Sequence, residues 1–271
     1  MKKLLAAMFV ALLMVGCGGP DDEENSFGWS DAKKPASTGV IDLDDNETRN
    51  RIAAEAIDWG KLQEKGEEGE QLYYAPNQQS PYTGWVKVMW GNEQVRLLAQ
   101  YEDGKGEGLF TSWYDKGQKE TEGNVKDGKP DGFGASWHEN GQKKFEGNFK
   151  DDKRNGLWTF WYENGQKWRE ANWKHGKLMT AVVWKPNGEK CPVTKLIDGN
   201  GVVGRYYENG QKDSEGNYNG GKIMTVFVWK PNGEKCPVTK LIDGNGVVVE
   251  YKEDGREKLR VTYKDGEQVF D

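Results

Sequence analysis

The feature that most constrains this chain is a glycine that returns at near-constant intervals. Gly117, Gly141, Gly165, Gly188, Gly210, Gly233 and Gly255 are separated by 24, 24, 23, 22, 23 and 22 residues, and asparagine precedes five of them. Around three of them the wording barely changes: HENGQK begins at His138, and YENGQK begins at Tyr162 and again at Tyr207. An eighth copy comes first, with Glu93 in the glycine's place. A period of this size means an array built from one supersecondary unit, each copy packing on the next.

Two further positions keep the same phase. Four residues before the glycine stands an aromatic: Trp113, Trp137, Trp161, Trp184, Tyr206, Trp229 and Tyr251. Eleven residues after it comes a second glycine, from Gly104 through Gly128, Gly176, Gly199, Gly221 and Gly244 to Gly266, broken only by Asp152. Asn-Gly and Asp-Gly favour two-residue hairpin turns, because both turn residues must take φ > 0 and these types tolerate it. Two such turns per repeat leave room for one strand between each pair. The prediction is an all-β fold: an elongated, single-layer antiparallel β-meander of about eight hairpin repeats, occupying residues 71–271.

Gly108, Gly132 and Gly156 are expected to open strands. Eight residues after the anchor comes a bulky side chain, Tyr101, Val125, Phe149, Trp173, Leu196, Tyr218, Leu241 and Tyr263. Stacked repeat on repeat, these and the first aromatic row form two ladders. Turn register decides which face each ladder takes, since a one-residue slip flips it. Val183 to Val203 recurs letter for letter at Val228 to Val248. Pro192 and Pro237 fall within its expected strands, where a missing N–H predicts a bulge or a shortened strand.

Composition fits this architecture. Charged residues are 30% of the chain and apolar ones 35%, with 36 glycines and 12 tryptophans, so aliphatic side chains are too few for a conventional core. The net charge of −6 excludes nucleic acid as the main partner, since no basic face answers the phosphates.

The N-terminus is organised differently. Residues 1–16 carry Lys2 and Lys3, then twelve apolar residues, too few to span a bilayer and suited to an export signal. Cys17, following Met14-Val15-Gly16, resembles the lipidated cysteine of a bacterial lipobox, which implies a lipid anchor at Cys17. Residues 17–45 are acidic and rich in Gly, Pro and Ser, the composition of a disordered tether. Residues 46–66 offer one short amphipathic helix, capped by Asp45 or Asn46 with Ile52, Ala56 and Trp59 at helical spacing, which would cover the first edge strand.

The consensus G-x-W-x-x-W-Y-E-N-G-Q-K-x-x-E-G-N-x-K-D-G-K resembles the variant MORN (membrane occupation and recognition nexus) repeat of bacteria, found in proteins labelled YwqK-family antitoxins of toxin–antitoxin systems. Gly108 to Lys129 and Gly156 to Lys177 carry the likeness best, and it extends over about residues 82–268. The resemblance implies a hairpin repeat array; fold by itself names no activity.

Candidate chemistry is sparse. No Ser-His-Asp set, metal-ligand cluster or phosphate loop stands in the sequence, so no catalytic residue, metal or cofactor is assigned. His138 and His175 read as repeat variation, GKGEG from Gly104 lacks a strand–helix context, and DGNG at Asp198 and Asp243 has too few carboxylates for calcium. Cys191 and Cys236 stand two repeats apart, on the order of 19 Å by strand spacing, beyond disulfide reach. Glu122, Glu146, Glu170 and Glu215 recur at one position, where they would bind a cation in a row or, as expected here, pair with neighbouring Lys and Arg or face solvent.

The candidate binding residues are the aromatic row Trp113, Trp137, Trp161, Trp184, Tyr206, Trp229 and Tyr251, whose exposed members would grip a partner and whose buried ones would be core. These features together read as a non-catalytic, membrane-tethered scaffold or binding surface in the bacterial envelope, periplasm-facing or at the surface. Its partner would be an unknown envelope protein, or a glycan whose sugar faces stack on the rings. The alternatives are an antitoxin-like neutraliser of a toxin protein and an envelope glycan-binding protein or hydrolase.

Overall fold

A computed structural model describes residues 41–67 and 70–269 and divides them into two compact units, 41–141 and 142–269. Cys17, the export signal and most of the tether lie outside the described residues.

In the first unit, helix α1 (Asn46–Glu55) starts where the Asp45 carboxylate accepts the N–H of Thr48 at 2.7 Å. The helix is shorter than the amphipathic stretch at 46–66. Ala56 turns to extended backbone, and Asp58 accepts the N–H of Gly60 to begin a one-turn 3-10 helix, Trp59–Lys61. Ile52 and Ala56 are buried against Leu98 and Trp113, as their spacing requires, while Trp59 leaves the helix to pack on Tyr73 with ring centroids 4.9 Å apart.

The strands of this unit are β1 (Ile57–Asp58), β2 (Gln63–Lys65), β3 (Leu72–Tyr74), β4 (Gly84–Met89), β5 (Val95–Glu102), β6 (Lys105–Trp113), β7 (Lys119–Lys126) and β8 (Lys129–Trp137). From β4 to β8 each strand pairs antiparallel with the next, whereas β2 and β3 make a separate hairpin. The repeat meander therefore begins at Gly84 rather than at 71. The open edge of β4 is covered by β1, paired parallel through Ile57↔Val86 and Asp58↔Lys87, and not by the helix. The helix packs beside β4, where Lys87 Nζ donates to Ala53 O at 2.5 Å.

The second unit continues the pattern with β9 (Lys143–Lys150), β10 (Lys153–Trp161), β11 (Lys167–Lys174) and β12 (Lys177–Val183), antiparallel throughout. Two four-stranded sheets follow: β13 (Lys195–Ile197), β14 (Asn200–Tyr206), β15 (Lys212–Asn219) and β16 (Lys222–Val228), then β17 (Lys240–Ile242), β18 (Asn245–Tyr251), β19 (Glu257–Lys264) and β20 (Glu267–Val269).

The breaks fall at the duplicated Cys-Pro-Val-Thr. Cys191 N donates to Val183 O at 2.7 Å and Cys236 N to Val228 O at 2.7 Å, after which Pro192 and Pro237 have no N–H to continue the ladder. Strands β13 and β17 are accordingly cut to three residues each. Threonine hydroxyls replace the missing pairing: Thr194 Oγ1 accepts Gly204 N at 3.1 Å, and Thr239 Oγ1 accepts Val249 N at 3.0 Å. The expected shortening is present, and the sheet ends there as well.

Two kinds of turn carry the repeat. At the Asp-Gly turns both residues are left-handed as expected, with Asp127 at φ 50° and Gly128 at φ 76°. At the Asn-Gly turns only the glycine is: Gly165 takes φ 79° while Asn164 does not take a positive φ. Gly165 N donates to Tyr162 O at 3.0 Å and Tyr162 N to Gln166 O at 2.9 Å, a three-residue connection closed by a glycine bulge. The asparagine serves through its side chain. Asn164 Oδ1 accepts Gln166 N at 2.9 Å, and its Nδ2 donates to Pro186 O at 3.3 Å in the next repeat. Gly108, Gly132 and Gly156, all at positive φ, sit inside β6, β8 and β10 beside register shifts rather than at strand starts.

The ladder eight residues after the anchor is the core: Tyr101, Val125, Phe149, Trp173, Leu196, Tyr218, Leu241 and Tyr263 are all buried. A glycine in the middle of the β9 partner strand makes room for its largest member's neighbour. A Cβ at Gly147 would lie 2.3 Å from Trp158, whose indole is fully buried against Phe145 and Phe149.

Candidate binding surface

The aromatic row four residues before each turn is built on the ends of β6, β8, β10, β14 and β18 and just past β12 and β16. It is only partly covered. Trp113 is 2% exposed, with the Arg49 guanidinium of α1 set 5.2 Å above its ring, so this member is core. Trp137, Trp161, Trp184, Tyr206, Trp229 and Tyr251 are half-buried.

Three members of the row are tied through their backbone carbonyls to the repeat before them. Tyr114 donates its hydroxyl to Trp137 O at 2.8 Å, Tyr162 to Trp184 O at 2.9 Å, and Tyr207 to Trp229 O at 2.7 Å. Burial pushes the Tyr162 and Tyr207 phenols well above their ordinary range, so both remain donors at any physiological pH. The lysine of the turn phrase lies over the following ring: Lys119 over Trp137 at 5.1 Å, Lys143 over Trp161 at 5.6 Å, Lys212 over Trp229 at 5.0 Å. The same lysines meet the recurring glutamates three residues on, Lys119–Glu122 at 2.7 Å, Lys143–Glu146 at 2.6 Å and Lys212–Glu215 at 2.7 Å, and Lys167 pairs Glu170 likewise. Burial opposes the charge on Lys119, but Asp44 and Glu122 outweigh it and hold the ammonium above its ordinary range.

In the second unit the surface is thus a row of partly covered rings, of which Trp161 and Trp229 lie under turn-phrase lysines that are themselves tied to carboxylates; Trp137 has the same setting in the first unit. Such an arrangement offers flat apolar patches rimmed by fixed charges of both signs, suited to recognition rather than to bond making. Among the described residues no cluster of three or more His, Cys, Asp and Glu side chains is placed to hold a metal ion. His175 occupies a turn at φ 52° in place of aspartate, and Asp198 and Asp243 occupy the corresponding turns at φ 49°.

Cys191 and Cys236 are free and buried. Each meets a tyrosine of the row: the Cys191 thiol donates to Tyr206 Oη at 3.6 Å, and Cys236 Sγ lies 3.1 Å from Tyr251 Oη. Burial pushes the Cys236 thiol up, yet the Thr239 and Tyr251 hydrogen bonds outweigh it and hold it below the ordinary thiol value.

One polar cluster was missed by the sequence reading. Arg205, Asp213 and Glu250 come together in the second unit, with Arg205 Nη2 3.0 Å from Asp213 Oδ2 and its Nη1 3.5 Å from Glu250 Oε1. The signal was present: Arg205 and Glu250 hold the same position in two copies, five residues before the turn glycine, where Phe160 and Val183 stand in others.

The fold and this surface define a β-hairpin repeat protein. Three stretches, residues 135–151, 154–175 and 200–219, match the MORN repeat variant family. The second covers most of Gly156 to Lys177; Gly108 to Lys129 lies outside all three. Repeats of this family generally take part in protein or membrane binding and are generally non-catalytic. No curated protein matches the chain.

Proposed function

We propose that this protein is a non-catalytic scaffold of the bacterial cell envelope, exported and held on a membrane through a lipid on Cys17, that binds a partner protein along its aromatic row. The observation that carries the reading is the half-buried row in the second unit, five rings from Trp161 to Tyr251 presented by successive repeats. A repeat array multiplies one weak contact into an extended surface. Trp113 takes no part in binding, being covered by α1.

The test is in-cell crosslinking of the tagged full chain with quantitative capture. Binding that is lost in Trp161→Ala/Trp184→Ala and kept in a variant of equal stability elsewhere supports the row. Equal capture by both variants removes it as the binding site. A small toxin as the captured species would make the protein a neutraliser of the antitoxin kind, and an envelope glycan would make the rings a sugar platform. Cys17→Ser should move the protein from the membrane to the soluble fraction; retention would end the lipoprotein reading.

A further inference from the structure

The Arg205–Asp213–Glu250 cluster joins the two duplicated sheets of the second unit. Arg205 stands on β14 and Asp213 on β15, both in the sheet β13–β16, whereas Glu250 stands on β18 in the last sheet. Around them is a cavity of about 30 Å³, walled by Val203, Ile223, Val226, Val228 and Val248 with Tyr218 and Tyr263. Glu250 is 8% exposed, and its Oε2 is buried with no hydrogen-bond partner in the protein.

Charge counting makes this oxygen informative. One guanidinium faces two carboxylates in an apolar enclosure, and Arg205 is closer to Asp213 (3.0 Å) than to Glu250 (3.5 Å). A bare second carboxylate there is an uncompensated buried charge, which costs more than the ion pair returns. The other ionisable groups near the cluster are Lys258 on β19 and the phenols of Tyr162, Tyr207, Tyr218 and Tyr263; β16 contributes only apolar side chains to the cavity.

We propose that Glu250 is a proton-operated joint: with a proton on Oε2 the two sheets close over the cavity, and ionisation loosens them. The direction of the titration agrees with the geometry. Burial pushes the Glu250 carboxyl above its ordinary value of 4.5, Asp213 adds to the rise, and Arg205 and Lys258 oppose it without cancelling it. Burial by itself would lower Arg205, but Asp213 and Glu250 outweigh it and keep the guanidinium charged.

A folded-state value raised above the unfolded one gives stability that is complete below the unfolded value and is lost as pH rises through the folded one. The joint is therefore tightest in acid and slackens as pH rises past the ordinary carboxylate value, opposite to an ordinary ion-paired carboxylate.

The experiment is hydrogen exchange of the full chain followed through peptides covering residues 200–228 and 245–264, corrected for intrinsic rates, across a pH series. In the wild type, protection should fall by up to about tenfold per pH unit as pH rises from the ordinary carboxylate value toward the raised folded-state one, and level off once Glu250 is ionised in the closed form as well. Glu250→Gln, which keeps the shape of the protonated acid, should remove that fall. Equal slopes in the two proteins overturn the proposal. Should Glu250→Gln fail to fold, Asp213→Asn in its place leaves one cation facing one carboxylate and should shift or abolish the fall. An infrared band of a protonated carboxyl that persists in the wild type above the pH at which ordinary carboxyls have ionised, and is missing from Glu250→Gln, is expected in any case, and its absence overturns the proposal. Recovery of protection at alkaline pH by potassium, but not by choline at equal ionic strength, would assign Oε2 to a metal cation and likewise overturn it.

Discussion

The phenolic hydroxyl of Tyr162 donates a hydrogen bond to the backbone carbonyl of Trp184, 2.9 Å away and one repeat further along the chain. That bond ties the turn phrase of one repeat to the aromatic of the next, and Asn164 adds a second tie to Pro186 O at 3.3 Å. The recurring six letters are therefore both a turn and a fastening between neighbours. The fastening explains why tyrosine opens the phrase where any bulky residue could have filled the volume.

Tyr162→Phe removes the fastening while keeping the ring. Because Tyr162 is buried and the Trp184 carbonyl loses its donor, the variant should be less stable by about 1–2 kcal/mol in denaturant unfolding. An unchanged midpoint would mean the carbonyl is satisfied another way.

Gly147 is a packing glycine rather than a turn glycine. With Trp158 within 2.3–2.5 Å of the added Cβ and fully buried, Gly147→Ala forces the indole to move and should cost about 1–3 kcal/mol. Thermal unfolding checks it, and a restored midpoint in Gly147→Ala/Trp158→Phe would show that the indole is the clashing group.

The second turns offer a matched pair of opposite sign. Asp152 sits at φ 63° where most repeats place glycine, so Asp152→Gly should stabilise by up to about 1 kcal/mol. Gly199 is left-handed too, but a Cβ there would lie 2.4 Å from Gly221 N, whose N–H donates to Gly199 O at 2.9 Å. Gly199→Ala should therefore destabilise by more than about 1 kcal/mol, combining backbone strain with a backbone clash. Denaturant midpoints that moved in the same direction would refute the turn account.

The two ladders should separate stability from binding. Trp173 is core, and Trp173→Ala should cost about 3–5 kcal/mol. Trp161 is half-buried under Lys143, so Trp161→Ala should cost clearly less while reducing partner capture. A Trp161→Ala protein as unstable as Trp173→Ala would place that ring in the core and end its candidacy as a contact.

Much of this molecule was legible from spacing alone. The period of the turn glycine, the paired Asp-Gly signals and the alternate bulky positions determined an antiparallel hairpin meander, because each turn type has its own backbone requirement and strands between fixed turns have only one length. The placement of the prolines determined where strands would be cut, since a residue without N–H cannot extend a ladder. What the sequence could not determine was anything that depends on distance between repeats. Asn164 looked like a φ > 0 residue and works instead through its side chain, because its hydrogen-bond partner belongs to another turn. Trp113 looked like every other member of its row until α1 came to lie over it. Glu250 carried no signal of its own until folding set it beside Arg205, 45 positions away, and buried it. Local spacing sets the backbone, whose conformational rules act over a few residues; burial and charge environment are set by tertiary contact, which alone decides which oxygen is left without a partner.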